Sequence, residues 1–258
     1  MSTLAERIAS PLHDEITAAQ QRCYVTYRLA SLAHIPLSSR GITLLESRSV
    51  ISAAGTTGMR TWEAALHLGR YLCENPSLVQ GKRVLELGAG TGYVSILCAR
   101  HLGAANCLVS DGSDDVVNAM PDNLFLNDLQ HSQTISPLDL KWGHALVGTE
   151  EAEWNGGRPV DIVLGADLTY DKRLIPALLS TLGELLSMFP GCRALIAVTE
   201  RSREACKDFE QACDKGRLNY QRLPFPAPPR REQVGPFYSD KIPIQIYEVR
   251  QRGPPHRS

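Results

Sequence analysis

A chain of 258 residues with 43% hydrophobic and 21% charged side chains can bury one full core and a small accessory segment. The formal net charge of -1 excludes a strong overall electrostatic field that would attract nucleic acid. Arg230, Arg231 and the basic tail are therefore only local basic patches. Seven cysteines without C-x-x-C spacing argue against a disulfide framework or a structural zinc site, and we expect no bound metal.

The sequence gives no sign of a membrane partner. Residues 1–10 lack the apolar core of a signal peptide, and no apolar run reaches the ~18 residues of a membrane span. We therefore expect a cytoplasmic protein that binds neither a membrane nor, directly, nucleic acid. We also expect it to act as a monomer.

The N-terminal part, residues 1–50, predicts a helical extension. Its helical pattern runs over residues 12–33, ends before Pro36, and predicts a helix packed as a lid or as a partner-recognition element. The apolar positions of that pattern are Leu12, Ile16, Cys23, Tyr27 and Leu32. Residues 51–250 then form the main domain, and residues 251–258 form a basic tail.

The main domain begins with a loop or edge strand at residues 51–59, followed by a helix from Thr61 to the break at Asn75 and Pro76. Trp62 stands at the start of this helix. A tryptophan there either packs in the core or lies beside a ligand, and both interpretations remain open.

The segment at 82–102 contains a strand at 84–87, a glycine turn at 88–92 and a helix at 93–102. Gly88 and Gly90, with Ala89 between them, allow the backbone to approach a ligand closely, and the helix N-terminus offers unpaired N–H groups. A glycine turn alone is also a common steric device. The turn nevertheless favours a cofactor site.

Two acids indicate which cofactor. Asp111 follows the next strand, at 106–110, close to the ~20-residue offset at which a carboxylate meets ribose hydroxyls, although a cap or turn role is the alternative. Glu86 lies two residues before Gly88, where a carboxylate disfavours the pyrophosphate of a dinucleotide. S-adenosylmethionine carries a sulfonium and an ammonium and no phosphate, so the sequence favours it over NAD.

Strands and helices alternate through the rest of the domain. Further strands are predicted at 135–140, 160–165 and 194–198, and helices at 114–128, 172–188 and 203–216. The last two strands, at 219–223 and 242–249, are joined by a proline-rich loop at 224–236 without a helix, so they should pair antiparallel. The pattern predicts an α/β, Rossmann-like class I methyltransferase fold, with a seven-stranded, mostly parallel sheet and an antiparallel last strand.

Two more strand ends carry candidate site residues. Trp142 follows the third strand, where its ring could wall in adenine or pack in the core. Ala166 and Asp167 follow the fourth strand. Asp171 is better placed than Asp167 to cap the next helix, which leaves Asp167 as a surplus acid where an acceptor would meet the methyl group.

The combined motifs resemble the seven-β-strand protein lysine methyltransferases. The resemblance is carried by Trp-Glu-Ala-Ala-Leu from residue 62, by the glycine segment, by Ser110 and Asp111, and by Asp-Leu-Thr-Tyr at 167–170, which resembles the D-x-x-Y signature. It spans about residues 56–250. The leader at 55–62 is most similar to the branch that methylates elongation factor 2, including its fungal members.

The resemblance implies S-adenosylmethionine as the cofactor and elongation factor 2 as the protein substrate. It implies cofactor contacts at Trp62, Gly88, Ala89, Gly90, Asp111, Trp142 and Ala166, and a lysine channel shaped by Asp167 and Tyr170. Glu86 is added to the cofactor-binding residues because its charge disfavours a pyrophosphate. Thr169 departs from the larger or apolar residue common in relatives, which bears on the channel's width. The alternatives are the same chemistry on another protein or a small molecule, or a scaffold without catalysis.

Overall fold

The computed structural model describes residues 22–47, 57–146, 154–155, 157–202 and 204–252. The described residues form nine strands and five α-helices. In chain order these are β1 (Arg22–Arg28), β2 (Gly41–Ser47), α1 (Glu63–Glu74), β3 (Arg83–Leu87), α2 (Tyr93–His101), β4 (Asn106–Asp111), α3 (Asp114–Phe125), β5 (Ile135–Asp139), β6 (Ile162–Ala166), α4 (Ile175–Met188), β7 (Arg193–Thr199), α5 (Ala205–Lys215), β8 (Leu218–Leu223) and β9 (Ile244–Gln251).

Seven strands form the central sheet in the order β5-β4-β3-β6-β7-β9-β8. The strands from β5 to β7 pair parallel, whereas β9 runs antiparallel to both β7 and β8. The predicted sheet and its reversed last strand are confirmed. Strands β4 and β6 lie on opposite sides of β3, so the strand order reverses at β3. A ligand crevice is expected at such a reversal.

The sheet is covered on both faces. Val84 packs into one hydrophobic cluster together with residues of α1, α2 and α3, whereas its neighbour Leu85 packs into the other cluster with residues of α4 and α5. Successive residues of a strand point to opposite faces, so a strand buried on both sides reads as a continuous apolar run. This property explains why the sequence predicted these strands with nearly correct bounds.

The predicted helix at residues 12–33 is wrong where the structure can test it. Residues 22–28 form strand β1, which pairs antiparallel with β2, while residues 1–21 lie outside the described residues. Cys23 and Tyr27 are four apart, an even spacing that suits one face of a strand as well as a turn of helix. Val25 between them lies on the same half-buried face, and its neighbours on either side are exposed.

The hairpin formed by β1 and β2 packs against the main core. Ile42 and Leu44 of β2 are completely buried there. The Asn127 side chain, just beyond α3, accepts a hydrogen bond from the Thr43 N–H (3.0 Å) and donates one to the Thr43 carbonyl (2.7 Å). The domain boundaries at residues 50 and 250 stay predictions, and the segments 48–56 and 253–258 lie outside the described residues.

The proline-rich loop is anchored to α1 by a buried histidine. His67 Nε2–H donates to the Phe225 carbonyl (3.0 Å), which leaves Nδ1 to accept a hydrogen bond from the Tyr238 hydroxyl (2.8 Å). Burial lowers the pKa of His67 to about 4, so the imidazole is neutral at physiological pH.

No described helix is long and apolar enough to cross a bilayer.

Candidate functional site

A cavity of about 690 Å³ lies at the carboxyl ends of β3, β4 and β6. Its size is within the range of small-molecule sites. All ten residues predicted to bind the cofactor or to catalyse line it: Trp62, Glu86, Gly88, Ala89, Gly90, Asp111, Trp142, Ala166, Asp167 and Tyr170. The structure therefore brings the whole predicted set together, although the role of each residue remains a prediction.

The glycine turn requires glycine for reasons of protein packing. Gly88 and Gly90 have φ angles of +58° and +54°, in the left-handed region that favours glycine. A Cβ on Gly88 would lie 2.7 Å from the Leu168 side chain, and one on Gly90 would lie 2.9 Å from the Gly58 carbonyl oxygen. The steric interpretation thus holds for both glycines, in addition to any approach to a ligand.

Asp111 faces the cavity from the end of β4. Its Oδ2 accepts a hydrogen bond from the Gly90 N–H (3.1 Å) and its Oδ1 accepts one from the Ser113 N–H (3.0 Å). A carboxylate oxygen can accept two hydrogen bonds, so each oxygen retains capacity for one hydroxyl of a vicinal diol. Burial raises the pKa of Asp111, although the backbone N–H bonds oppose that shift. The turn role and the ribose role are therefore compatible.

Glu86 is almost completely buried beneath the glycine turn. Its Oε2 accepts hydrogen bonds from the Ser95 N–H (2.9 Å) and the Ser95 hydroxyl (2.5 Å), in the first turn of α2. Burial raises the pKa of Glu86 to about 7 against the opposing effect of these bonds. The carboxylate thus stabilises the N-terminus of α2 while it lines the cavity, a contact that the sequence did not predict.

Trp142 forms a wall of the cavity next to the glycine turn. Its ring atom Cζ2 would lie 3.2 Å from a Cβ on Gly88. Among the described residues, the buried Trp142 Nε1–H has no hydrogen-bond acceptor. A buried donor without a partner costs about 1–3 kcal/mol, and a ligand that accepts its hydrogen bond removes that cost.

These features suit S-adenosylmethionine. Asp111 can bind a ribose diol, and the Trp142 ring can stack on adenine. The cationic part of the cofactor would stabilise the ionised form of the Glu86 carboxyl, which lines the same cavity. When bound, S-adenosylmethionine supplies a methyl group on a positively charged sulfur.

Asp167 lies at the end of β6, on the other side of β3 from Asp111. Its φ angle is +54°, which asparagine and aspartate tolerate better than most residues. Oδ1 accepts a hydrogen bond from the Thr199 N–H (2.9 Å), and Oδ2 lies 3.1 Å from Arg201 Nη2. Tyr170, 61% exposed, lines the cavity nearby at its accessible rim.

The sequence reasoning missed Arg201. This residue also lines the cavity, and its guanidinium lies 5.0 Å from the centre of the Trp62 ring. The Trp62 ring is held in place by a hydrogen bond from Nε1–H to the Thr57 carbonyl (3.1 Å). Arg201 follows the end of β7 by two residues, so the strand-end rule that found Asp111 and Asp167 could also have found Arg201.

A second missed feature is a chain of hydroxyls between the hairpin and the glycine turn. The Thr61 hydroxyl donates to Glu46 Oε1 (2.6 Å), so the Thr91 hydroxyl, 2.6 Å from Thr61 Oγ1, must be the donor in that second contact. The Tyr27 hydroxyl also donates to Glu46 (3.0 Å). Burial raises the pKa of Glu46, and the hydrogen bonds it accepts limit the shift.

Comparisons with known proteins identify the family of this chain. A family described as lysine methyltransferase matches residues 48–215. The protein-lysine N-methyltransferase EFM3 of Chaetomium thermophilum is 56% identical, over 97% of this chain and 74% of its own length. The human protein-lysine N-methyltransferase EEF2KMT is 29% identical, over 76% of this chain and 60% of its own length.

Among solved structures, SMU.776, crystallised in complex with SAH, superposes with a TM-score of 0.53 at 14% identity. The match covers 81% of this chain and 53% of that chain, and it shows the shared fold. The predicted fold class, enzyme class and use of S-adenosylmethionine are confirmed. Because the family matches residues 48–215 and a named protein-lysine N-methyltransferase is 56% identical, the chain belongs to the lysine methyltransferase family.

Proposed function

We propose that this protein transfers methyl groups from S-adenosylmethionine to a lysine of elongation factor 2. Family membership fixes the reaction as protein-lysine N-methylation. The leader at residues 55–62 resembles the branch that acts on elongation factor 2, and the name of the human relative, EEF2KMT, points to the same branch. A substrate of this kind implies work in the cytoplasm, which agrees with the expectation from the sequence.

The observation that carries the proposal is the placement of two acids around β3. Asp111, at the end of β4, and Asp167, at the end of β6, line one cavity together with Trp142 and Tyr170. We assign Asp111 and Trp142 to the cofactor and Asp167 and Tyr170 to the lysine. The proposed division places the methyl group near the end of β3, between the two acids.

The reaction requires a neutral amine. The reference pKa of lysine, ~10.4, means that the neutral form costs about 4–5 kcal/mol at pH 7. Asp167 captures and orients the incoming ammonium, and the proton then leaves to water at the open rim of the cavity. The Tyr170 ring packs along the aliphatic part of the lysine and its hydroxyl offers one hydrogen bond. Orientation in a preorganised, partly dry site lowers the remaining barrier.

The test is intact mass spectrometry of purified elongation factor 2 after incubation with the protein and S-adenosylmethionine. We expect a mass increase of one or more methyl groups with the wild-type chain. Asp167→Asn keeps an oxygen for the Thr199 N–H but loses the negative charge, so it should retain S-adenosylhomocysteine binding by calorimetry and lose most transfer. Asp171→Asn is the matched control, because Asp171 pairs on the surface with Arg173 and does not line the cavity.

Each result has a defined meaning. If elongation factor 2 stays unmodified while another protein of a cell lysate is methylated, the result contradicts only the substrate assignment. Normal transfer by Asp167→Asn would contradict the role of Asp167. Loss of S-adenosylhomocysteine binding in that variant would assign Asp167 to the cofactor instead.

A further inference from the structure

The carboxylate that we assign to the acceptor lysine already holds a cation. Arg201 Nη2 lies 3.1 Å from Asp167 Oδ2 and 3.9 Å from Glu63 Oε2. The same guanidinium stacks near Trp62 at the edge of the cavity. A lysine ammonium that approached Asp167 would therefore meet a second positive charge.

The position of Arg201 is set by its backbone as well as by this ion pair. The Arg201 N–H donates to the Thr199 carbonyl (2.8 Å), and the Thr199 N–H donates to Asp167 Oδ1. The neighbouring Glu200 N–H donates to the Pro243 carbonyl (2.8 Å). The backbone after β7 thus holds Arg201 next to Asp167, even though the Arg201 side chain is 44% exposed.

The charges around this end of the cavity oppose one another. The carboxylates of Asp167 and Glu63 stabilise an ammonium, which raises the pKa of a bound lysine. The guanidinium of Arg201, together with that of Arg60 at 5.2 Å from the centre of the Trp62 ring, has the opposite effect. Without Arg201, the charge next to the acceptor would favour the unreactive, protonated form.

We propose that Arg201 is a positioning residue that shares the Asp167 carboxylate with the substrate, so that a larger share of the bound acceptor lysine is the neutral amine. The inference rests on the proposed lysine methylation. The ammonium proton leaves to water at the cavity rim, and the electron pair that remains on nitrogen forms the new N–C bond. The methyl–sulfur bond breaks at the same time, and its electron pair stays on the sulfur of the neutral product S-adenosylhomocysteine. In the absence of Arg201, Asp167 binds the ammonium tightly in a state that cannot react.

This role predicts a characteristic change in the kinetics of Arg201→Gln. Because the pKa of the bound lysine affects kcat, whereas that of the free lysine affects kcat/KM, the two constants should separate. At pH 7 we expect kcat to fall about tenfold and KM to fall with it, because one half-exposed charge a few ångströms away shifts a pKa by about one unit. The apparent pKa of the kcat profile should rise by about one unit, and kcat should recover at high pH.

Binding without turnover gives an independent measurement. Calorimetry of unmethylated elongation factor 2 with the complex of the protein and S-adenosylhomocysteine should show a several-fold lower Kd for Arg201→Gln at pH 7. The difference should shrink as the pH rises through the pKa of the bound lysine, because a neutral amine no longer gains from the freed charge of Asp167. Affinity for S-adenosylhomocysteine itself should be retained.

Two further variants complete the test. Arg201→Lys keeps the charge and should restore the wild-type kcat profile in large part. Arg173→Gln removes an equal charge from the surface pair with Asp171, outside the cavity lining, and should leave the profile unchanged. Should wild-type protein leave elongation factor 2 unmodified, the same kinetics are measured on the lysate protein that it does methylate, so the two proposals fail separately.

Two results would overturn the inference. If Arg201→Gln raises KM and lowers kcat at every pH, and Arg201→Lys does not restore either constant, Arg201 only supports the local structure. A raised kcat at every pH without a shift in its profile would show that Arg201 merely competes with the substrate for Asp167.

Discussion

Replacing Glu86 by glutamine tests the electrostatics beneath the glycine turn. Burial raises the pKa of Glu86 to about 7 from 4.5, so ionisation of this carboxyl is harder in the folded protein than in the unfolded chain. Its contribution to stability is therefore complete below pH 4.5 and is lost as the pH rises through 7. A difference of this size corresponds to about 3 kcal/mol of unfolding free energy.

Glutamine should preserve the local geometry. Both hydrogen bonds from Ser95 go to one oxygen, Oε2, so the single amide oxygen of glutamine can accept them. The amide does not titrate. The unfolding free energy of Glu86→Gln, relative to wild type, should therefore increase by about 3 kcal/mol between pH 4.5 and pH 8. An unsatisfied amide N–H would lower it by about 1–3 kcal/mol, but equally at every pH.

The measurement is urea unfolding, followed by tryptophan fluorescence at pH 5, 6, 7 and 8 without ligand. Glu232→Gln is the control for removal of one charge, because that side chain is 57% exposed. An unfolding free energy of Glu86→Gln relative to wild type that stays constant between pH 5 and pH 8, or that decreases as the pH rises, would refute the reasoning.

Three further predictions concern the cofactor turn and the anchored loop. Asp111→Ala should weaken S-adenosylhomocysteine binding at least about 100-fold in calorimetry, because two hydrogen bonds to a charged group are lost; undiminished affinity would remove the ribose assignment. Gly90→Ala should lower the Tm and weaken the same binding, because a Cβ there meets a backbone oxygen at 2.9 Å, whereas Gly183→Ala, where a Cβ meets nothing within 4 Å, should keep both or raise the Tm. His67→Gln should be less stable than wild type at pH 7, but the gap should close by up to about 3 kcal/mol as the pH falls from 6.5 to 4, because in this range the wild-type imidazole gains a proton in the unfolded chain but stays neutral when buried. A gap in urea unfolding that does not change with pH would contradict the last prediction.

The sequence predicted the cavity lining around the glycine turn well because the relevant signals are local. A strand, a glycine turn and a helix occupy consecutive residues, and parallel strands bring Asp111 and Asp167 to one edge without any knowledge of side-chain contacts. The same rule placed Trp142 and Ala166 correctly in the cavity lining.

The parts that the sequence did not predict depend on pairings between distant residues. The spacing of Cys23 and Tyr27 is compatible with a helix, and only the pairing of their segment with β2 shows that it is a strand. The contact between Thr61 and Glu46 joins residues 15 apart, and that between Asp167 and Arg201 joins residues 34 apart. Neither pairing has a periodic signature, because each is created by the turns that lie between the partners.

The hydroxyl chain from Glu46 through Thr61 to Thr91 has a dynamic consequence. Asn123 forms a parallel link, because its side chain donates to the Thr91 carbonyl (2.9 Å) and accepts from the Leu45 N–H (2.8 Å). Detachment of the hairpin would therefore break two supports of the glycine turn that we assign to the methyl donor. Occupancy by the donor should slow amide deuteration in β2 as well as in the loop, so that a strand remote from the chemistry reports whether the enzyme is loaded.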